Sequence, residues 1–151
     1  MSAKVYRPEN WSAAPLESES AQLVGGRCLS CAKVFFPRFN ACPSCASRKP
    51  MAEVRLNSRG SLYSYSVIHV NAPGFKAPYA VGYVDLAEGP RVFGHLDGWQ
   101  DGPVALDTPV EIYAGPIGKD RDGEELISVR FRPLAADRNS TGGARWRTCA
   151  K

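Results

Sequence analysis

Residues Arg27–Cys45 read RCLSCAKVFFPRFNACPSC. Cys28 and Cys31 form one C-x-x-C pair, Cys42 and Cys45 a second, and ten residues lie between them. Two such pairs place four thiolates at the corners of a tetrahedron, with metal–sulfur distances of about 2.3 Å. Thiolates are soft donors that bind a divalent ion in their deprotonated state and leave no position open for water. The intervening KVFFPRFNA supplies a short strand and a Pro-bearing turn that folds the second pair back onto the first. Two disulfides would require an oxidising compartment. A dithiol redox centre needs one activated pair, whereas here two are matched. Iron in a rubredoxin-like site uses the same four ligands, and spacing does not separate it from zinc. The reading taken is structural zinc on Cys28, Cys31, Cys42 and Cys45, which folds a segment too short to build a core of its own.

Downstream the pattern changes from ligands to alternation. Gly60–Asn71 (GSLYSYSVIHVN) places Tyr63, Tyr65, Val67 and His69 on one side of a strand, and Leu62, Ser64, Ser66, Ile68 and Val70 on the other. Further β-rich runs follow at Tyr79–Leu86, Arg91–Leu96, Pro109–Ala114 and Glu124–Arg132. The breaks NAPGFKAP, AEGP, DGWQDGPVALDT and GPIGKDRDG are rich in turn-forming residues. Five strands with little helix between them predict a small, mainly β fold. A five-stranded antiparallel barrel of the OB type is the economical form, because closure removes exposed edges. Composition divides the chain into an N-terminal arm (1–20), a rubredoxin-like zinc ribbon (21–50), the barrel (51–135) and a flexible basic tail (136–151). The arm is polar, with marginal helical character across Leu16–Leu23.

The chain has 151 residues, 44% of them hydrophobic, with 14 Gly and 12 Pro. That excludes wholesale disorder, collagen-like repeats and coiled coil. No apolar run reaches the roughly 18 residues of a membrane span, and the first residues lack the apolar centre of a signal peptide. A cytoplasmic protein with no membrane role is expected. The net charge of +4 lies largely in the tail, where Arg138, Arg145, Arg147 and Lys151 face only Asp137. It is a weak warrant for phosphate binding.

No set of catalytic residues stands out. His69 and His95 sit in strands among apolar neighbours and read as core or interface histidines. Cys149 is alone in the polar tail, without a neighbouring His. Asp85, Glu88, Asp97 and Asp101 fall at strand ends and turns, where short acidic groups bond locally. Tyr63, Tyr65, Tyr79 and Tyr83 form an aromatic series that suits base stacking, barrel filling or an interface. Few cations surround it, which disfavours nucleic acid and leaves a nucleic-acid-binding OB module as the alternative reading. The loop Asn71–Pro78 lies where OB folds often bind ligands. In it Phe75 is expected as an exposed apolar face and Lys76 as a single cation. With the adjacent Tyr79 they are the candidate ligand- or partner-binding residues, suited to a pantetheine arm, an adenine-phosphate group or a partner protein. An ordinary solvated loop is the competing reading.

The order of features carries more than any one of them. Trp11 precedes RCLSCAKVFFPRFNACPSC; SRGSLYSYSVIHV, a Pro-Gly loop, PYAVGYVDLAEGPRVFGHL, TPVEIYAG and RFRPL follow. Over about residues 11–134 this resembles the zinc-ribbon plus OB-fold (DUF35-type) family that accompanies acyl-CoA enzymes, including small subunits of thiolase complexes. Phe36-Pro37-Arg38 and Cys42-Pro43-Ser44-Cys45 fit its pattern, whereas Ala32 stands where the family has Gly after the first pair. The resemblance implies a non-catalytic accessory subunit in a hetero-oligomer with a thiolase-type catalytic subunit. The complex would act in CoA-dependent C–C cleavage or acyl transfer, in degradation of aromatic or related acids. Its ligand would be an acyl-CoA ester, and its catalytic residues would lie on the other chain. Partnership with a CoA-ester hydratase or aldolase is the neighbouring possibility, and a stand-alone CoA-ester hydrolase or transferase using His69, His95, Asp85 or Asp97 is a further rival. Within that reading Trp11, Phe35, Phe36 and Phe39 are the expected docking anchors.

Overall fold

The computed structural model describes residues 3–12 and 22–134. Among the described residues nine strands run in chain order: β1 (Ala3–Val5), β2 (Val24–Arg27), β3 (Val34–Phe35), β4 (Ala52–Arg55), β5 (Arg59–Ile68), β6 (Tyr79–Asp85), β7 (Arg91–Leu96), β8 (Pro109–Lys119) and β9 (Glu125–Pro133). β2 pairs antiparallel with both β3 and β4, forming the three-stranded sheet of the ribbon. Strands β5 to β9 close on themselves in the order β5-β6-β7-β9-β8, returning to β5. The pairings are antiparallel except at the seam, where β7 and β9 run parallel through His95↔Arg130 and Leu96↔Phe131. This is the mainly β architecture of ribbon followed by closed five-stranded barrel that the alternation predicts.

Two details differ from simple alternation. In β5 a bulge between Leu62 and Ser64 adds a residue and changes which phase faces inward. Leu62 is fully buried and Tyr63 is half exposed, while beyond the bulge Tyr65 and Val67 pack against the core. Tyr63 therefore does not share a face with Tyr65 and Val67. The second difference is the expected break at Gly115–Gly123. β8 continues to Lys119 through an irregularity between Pro116 and Gly118, and the reversal is confined to the turn that follows. There Asp120 Oδ1 accepts the N–H groups of Asp122 and Glu124, both at 2.9 Å. Pro116 is tolerated in a strand because β5 covers only Pro109–Glu111, leaving the rest of β8 unpaired on that side.

The barrel is filled by Leu56, Leu62, Val84, Val92, Leu96, Val110 and Phe131, all essentially inaccessible. The same cluster takes in Trp11 and Leu23, and Val34, Phe36 and Val54 of the ribbon pack against it. One core thus serves both parts. Residues 3–12 of the arm are bound into it: β1 lies parallel to β9, Tyr6 N–H donates to the Ile127 carbonyl at 2.8 Å, and Trp11 bridges Leu23. This corrects two expectations. Trp11, at 7% exposure, is a core residue and not a free docking anchor. Gln22 and Leu23 are extended, not helical; residues 16–21 of the expected helix, Cys149 and the basic tail lie outside the described residues. Among the described residues no helix is long and apolar enough to cross a membrane.

A Trp11→Ala variant is expected to lose about 3–5 kcal/mol of folding stability, the range for truncating a large buried aromatic. Urea unfolding followed by circular dichroism measures it as a lowered midpoint.

Candidate metal centre and aromatic surfaces

The two C-x-x-C pairs fold into matching turns. Cys28 N–H donates to the Lys33 carbonyl and Ala32 N–H to the Cys28 carbonyl; Cys42 with Ser47, and Ala46 with Cys42, repeat the pattern, all at 2.9 Å. Each turn ends in a left-handed residue, Ala32 at φ 61° and Ala46 at φ 57°. Glycine adopts that conformation freely, whereas a Cβ costs about 1–2 kcal/mol there. A Gly, which the resemblance noted in the sequence leads one to expect where Ala32 stands, would avoid that cost.

The turns bring all four sulfurs within 4.8 Å of one another. Cys28 Sγ lies 3.7 Å from Cys45 Sγ, and Cys31 Sγ 3.6 Å from Cys42 Sγ. A tetrahedron with metal–sulfur bonds of about 2.3 Å has edges of about 3.8 Å, so the cage has the right size for such an ion. A disulfide would need about 2.05 Å, and all four thiols are free. Backbone N–H groups of Ser30 and Ser44 point at Cys28 Sγ and Cys42 Sγ, each at 3.4 Å. The N–H groups of Cys31 and Ser30 hold the Cys28 thiol down at about 6. At Cys42 burial opposes ionisation, but the N–H groups of Cys45 and Ser44 outweigh it and the thiol lies below its ordinary value. At Cys45 the Ser47 backbone favours the thiolate, yet burial and the crowding of Cys42, Cys28 and Cys31 win and push it up to about 11. The cage thus favours thiolates while crowding their charges together, an arrangement that a divalent cation completes. The donor set fits a closed, four-thiolate zinc site.

Around the cage the candidate aromatics separate. Phe35 and Phe39 meet edge to face with centroids 6.2 Å apart, and Phe39 is 44% exposed. Phe36 points the other way, against the shared core, and is a joint between ribbon and barrel instead of an outward anchor.

On the barrel the loop 71–78 is drawn in. Asn71 Oδ1 accepts Ala77 N–H at 2.8 Å, and Ala72 and Phe75 exchange backbone hydrogen bonds across the turn. Gly74, at φ +84°, sits so close to β8 that a Cβ would fall 2.1 Å from the Lys119 carbonyl oxygen. Lys119 N–H in turn donates to the Gly74 carbonyl at 2.9 Å. Phe75 is consequently turned inward and half-buried, forming a triangle with Tyr79 and His95 whose centroid separations are 5.9, 5.9 and 5.5 Å. The expectation of an exposed Phe75 is corrected by this packing. Lys76 is exposed and Tyr79 is half-buried. The two histidines part company: His69 lies exposed just beyond β5, while His95 is buried. Burial, reinforced by the charge of Arg130 and opposed by Asp97, lowers the His95 pKa.

One grouping has no counterpart in the sequence reading, and a second regroups the aromatic series by adding Phe93 to Tyr63 and Tyr83. Asp97 accepts from Tyr113 Oη at 2.5 Å and from the Arg130 guanidinium, which also donates to the Pro116 carbonyl. This cluster ties the ends of β7, β8 and β9 together at the barrel seam. Its residues are far apart in sequence and none carries a motif. The second grouping is the outer face of β5–β7, where Tyr63, Tyr83 and Phe93 are 50%, 44% and 52% exposed. Tyr83 and Phe93 are cross-strand partners with centroids 5.2 Å apart. Arg91 lies 3.3 Å above the Tyr63 ring centroid and grips Asp85 with two hydrogen bonds of 2.6 and 3.0 Å. That ion pair lowers the Asp85 pKa. Phe93 was legible in principle: β7 alternates buried Val92 with outward Phe93.

Residues 21–50 match the family model of the ChsH2 rubredoxin-like zinc ribbon domain, and residues 53–114 that of the ChsH2 C-terminal OB-fold domain. The chain is 39% identical over 121 residues to the benzoylsuccinyl-CoA thiolase subunit BbsA of Thauera aromatica, covering 80% of this chain and 83% of that one. It is 33% identical over 115 residues to a DUF35 domain-containing scaffold protein of Methanocaldococcus jannaschii, covering 74% and 82%. Among solved structures, the Ltp2-ChsH2(DUF35) aldolase superposes with a TM-score of 0.60 at 32% identity, covering 74% of this chain and 84% of the matched chain.

Two outcomes are expected at the cage. Cys42→Ser should reduce bound zinc, measured by elemental analysis of the purified protein, from about one per chain to well below half, because three thiolates hold it far more weakly. Ala32→Gly should stabilise the ribbon by up to about 1 kcal/mol by removing the Cβ from a left-handed position, read as slower zinc release to a chelator.

Proposed function

The chain belongs to the family that joins a ChsH2-type rubredoxin-like zinc ribbon to an OB fold, and on that premise we propose that it is a non-catalytic accessory subunit of an acyl-CoA enzyme complex, with a thiolase-type catalytic partner. The observation that carries the proposal is the aromatic face of Tyr63, Tyr83 and Phe93, stiffened by the Arg91–Asp85 pair. Tyr and Arg are over-represented at the energetic centres of interfaces, and contiguous exposed apolar surface marks docking sites. Phe39 and Phe35 on the ribbon supply a second contact. The identity to BbsA extends over 80% of this chain, which supports a thiolase partner and CoA-dependent C–C cleavage or acyl transfer on aromatic or related acids. The structural similarity to Ltp2-ChsH2(DUF35) aldolase favours an aldolase as the second reading.

In this role the chain acts by position. The ion held by Cys28, Cys31, Cys42 and Cys45 keeps the ribbon folded so that its aromatics present a fixed contact. The drawn-in loop 71–78, with exposed Lys76, borders the path of the CoA ester. A wall of this kind excludes water from a reactive thioester and holds the acyl group against the partner's nucleophile. A nucleic-acid role is disfavoured because Arg91, the cation at the aromatic face, is already bound by Asp85.

Co-expression with a neighbouring thiolase tests the proposal. The two chains should co-elute in size-exclusion chromatography, and a Tyr83→Ser/Phe93→Ser double variant should weaken association by roughly 30-fold or more, the effect of losing one or two interface centres. Both side chains are exposed, so the variant should still fold. Separate elution with unchanged thiolase activity would sink the thiolase reading, and co-elution with an aldolase in its place would select the second.

A further inference from the structure

A cavity of about 370 Å3 opens beside the barrel seam, where β7 and β9 separate from their short parallel pairing. Tyr6 of the arm, Phe75 of the drawn-in loop, Phe93 and His95 of β7, and Leu126 and Val129 of β9 form its walls. No carboxylate, lysine or arginine lines it. Its floor is tight, because a Cβ on Gly94 would lie 2.7 Å from the Val129 carbonyl oxygen. The Phe75 wall is fixed by the hold of Gly74 on Lys119 described above.

His95 is the most deeply buried of the polar side chains lining this space, which also include Ser128 and Tyr6. It is only 9% exposed, and among the described residues no hydrogen-bond partner reaches either ring nitrogen. An imidazole in a cavity wall can hydrogen-bond to a group that enters the cavity. Burial disfavours its protonation, and a neutral imidazole offers one donor and one acceptor nitrogen.

We propose that this cavity binds a small, neutral, largely apolar group bearing one hydrogen-bonding oxygen, with His95 as its polar partner and Phe75 and Phe93 as its walls. A ketone, ester or alcohol on an aryl or short alkyl body has this chemistry. An anion would lose its hydration without meeting a cation. A pure hydrocarbon would fill the space and leave His95 unpaired. Its walls all come from this chain, and it goes beyond the accessory-subunit role, although Phe93 is shared with the proposed docking face, so binding is tested on the chain without a partner. Its volume falls within the ordinary range for small-molecule pockets.

The test uses the full zinc-loaded chain, 15N- and 13C-labelled, titrated with acetophenone, toluene and benzoate as probes. Acetophenone should bind saturably, with shifts concentrated on Phe75, Phe93, His95 and Val129, and benzoate should not bind. A Ser128→Phe variant, which places a ring in the cavity from its half-exposed lining position, should abolish acetophenone binding while its remaining spectrum shows the native fold. In His95→Leu the ratio of acetophenone to toluene affinity should fall about tenfold, the loss expected for one neutral hydrogen bond. The idea is overturned if acetophenone gives no saturable shifts. It is equally overturned if those shifts centre on Tyr63 and Tyr83, or if the affinity ratio is the same with and without His95. None of these results bears on whether a thiolase co-elutes.

Discussion

The rest of the molecule depends on the short parallel seam between β7 and β9. Its two rungs, His95↔Arg130 and Leu96↔Phe131, convert an open antiparallel sheet into a barrel and enclose Phe131 completely. A sheet this small could not otherwise cover both its edges and its core. The seam also sets what surrounds it. Asp97, Tyr113 and Arg130 lock its end, β1 takes up the same edge of β9 where β7 leaves it, and the cavity beneath Phe75 exists because the pairing stops where it does.

The ribbon follows a different logic. Its sheet has three short strands and its sulfur cage does the work that a core would do elsewhere. It is nevertheless not an independent appendage. Val34, Phe36 and Val54 pack against the same cluster as Trp11 and Leu56, so the metal-dependent part and the barrel brace each other. A rigid joint is what an accessory subunit with contacts on both parts requires, since slack between ribbon and barrel would be lost as ordering entropy on association.

The candidate site was partly legible. The four cysteines were fully so, because ligation is a matter of residue type and local spacing. Trp11 was misleading: large aromatics near a terminus fit docking and core equally well, and only its pairing with Leu23 distinguishes them. Phe75 looked exposed because a Pro-Gly loop usually is; the contact of Gly74 with β8, more than forty residues away in sequence, turns it inward. Phe93 alternates with Val92 in β7, but a single outward aromatic marks no surface in sequence; its pairing with Tyr83 exists only in the folded sheet.

By itself the sequence determined the metal cage, the strands of the barrel and the family, because these rest on spacing within a few residues: thiolate pairs, two-residue alternation and turn chemistry. Only the tertiary structure decided which aromatics face outward, why Trp11 belongs to the core and how His95 comes to line an apolar cavity. Those facts arise from a one-residue bulge in β5 and from contacts between strands distant along the chain. A single added residue reverses every side chain beyond it, and no local pattern records where that residue falls.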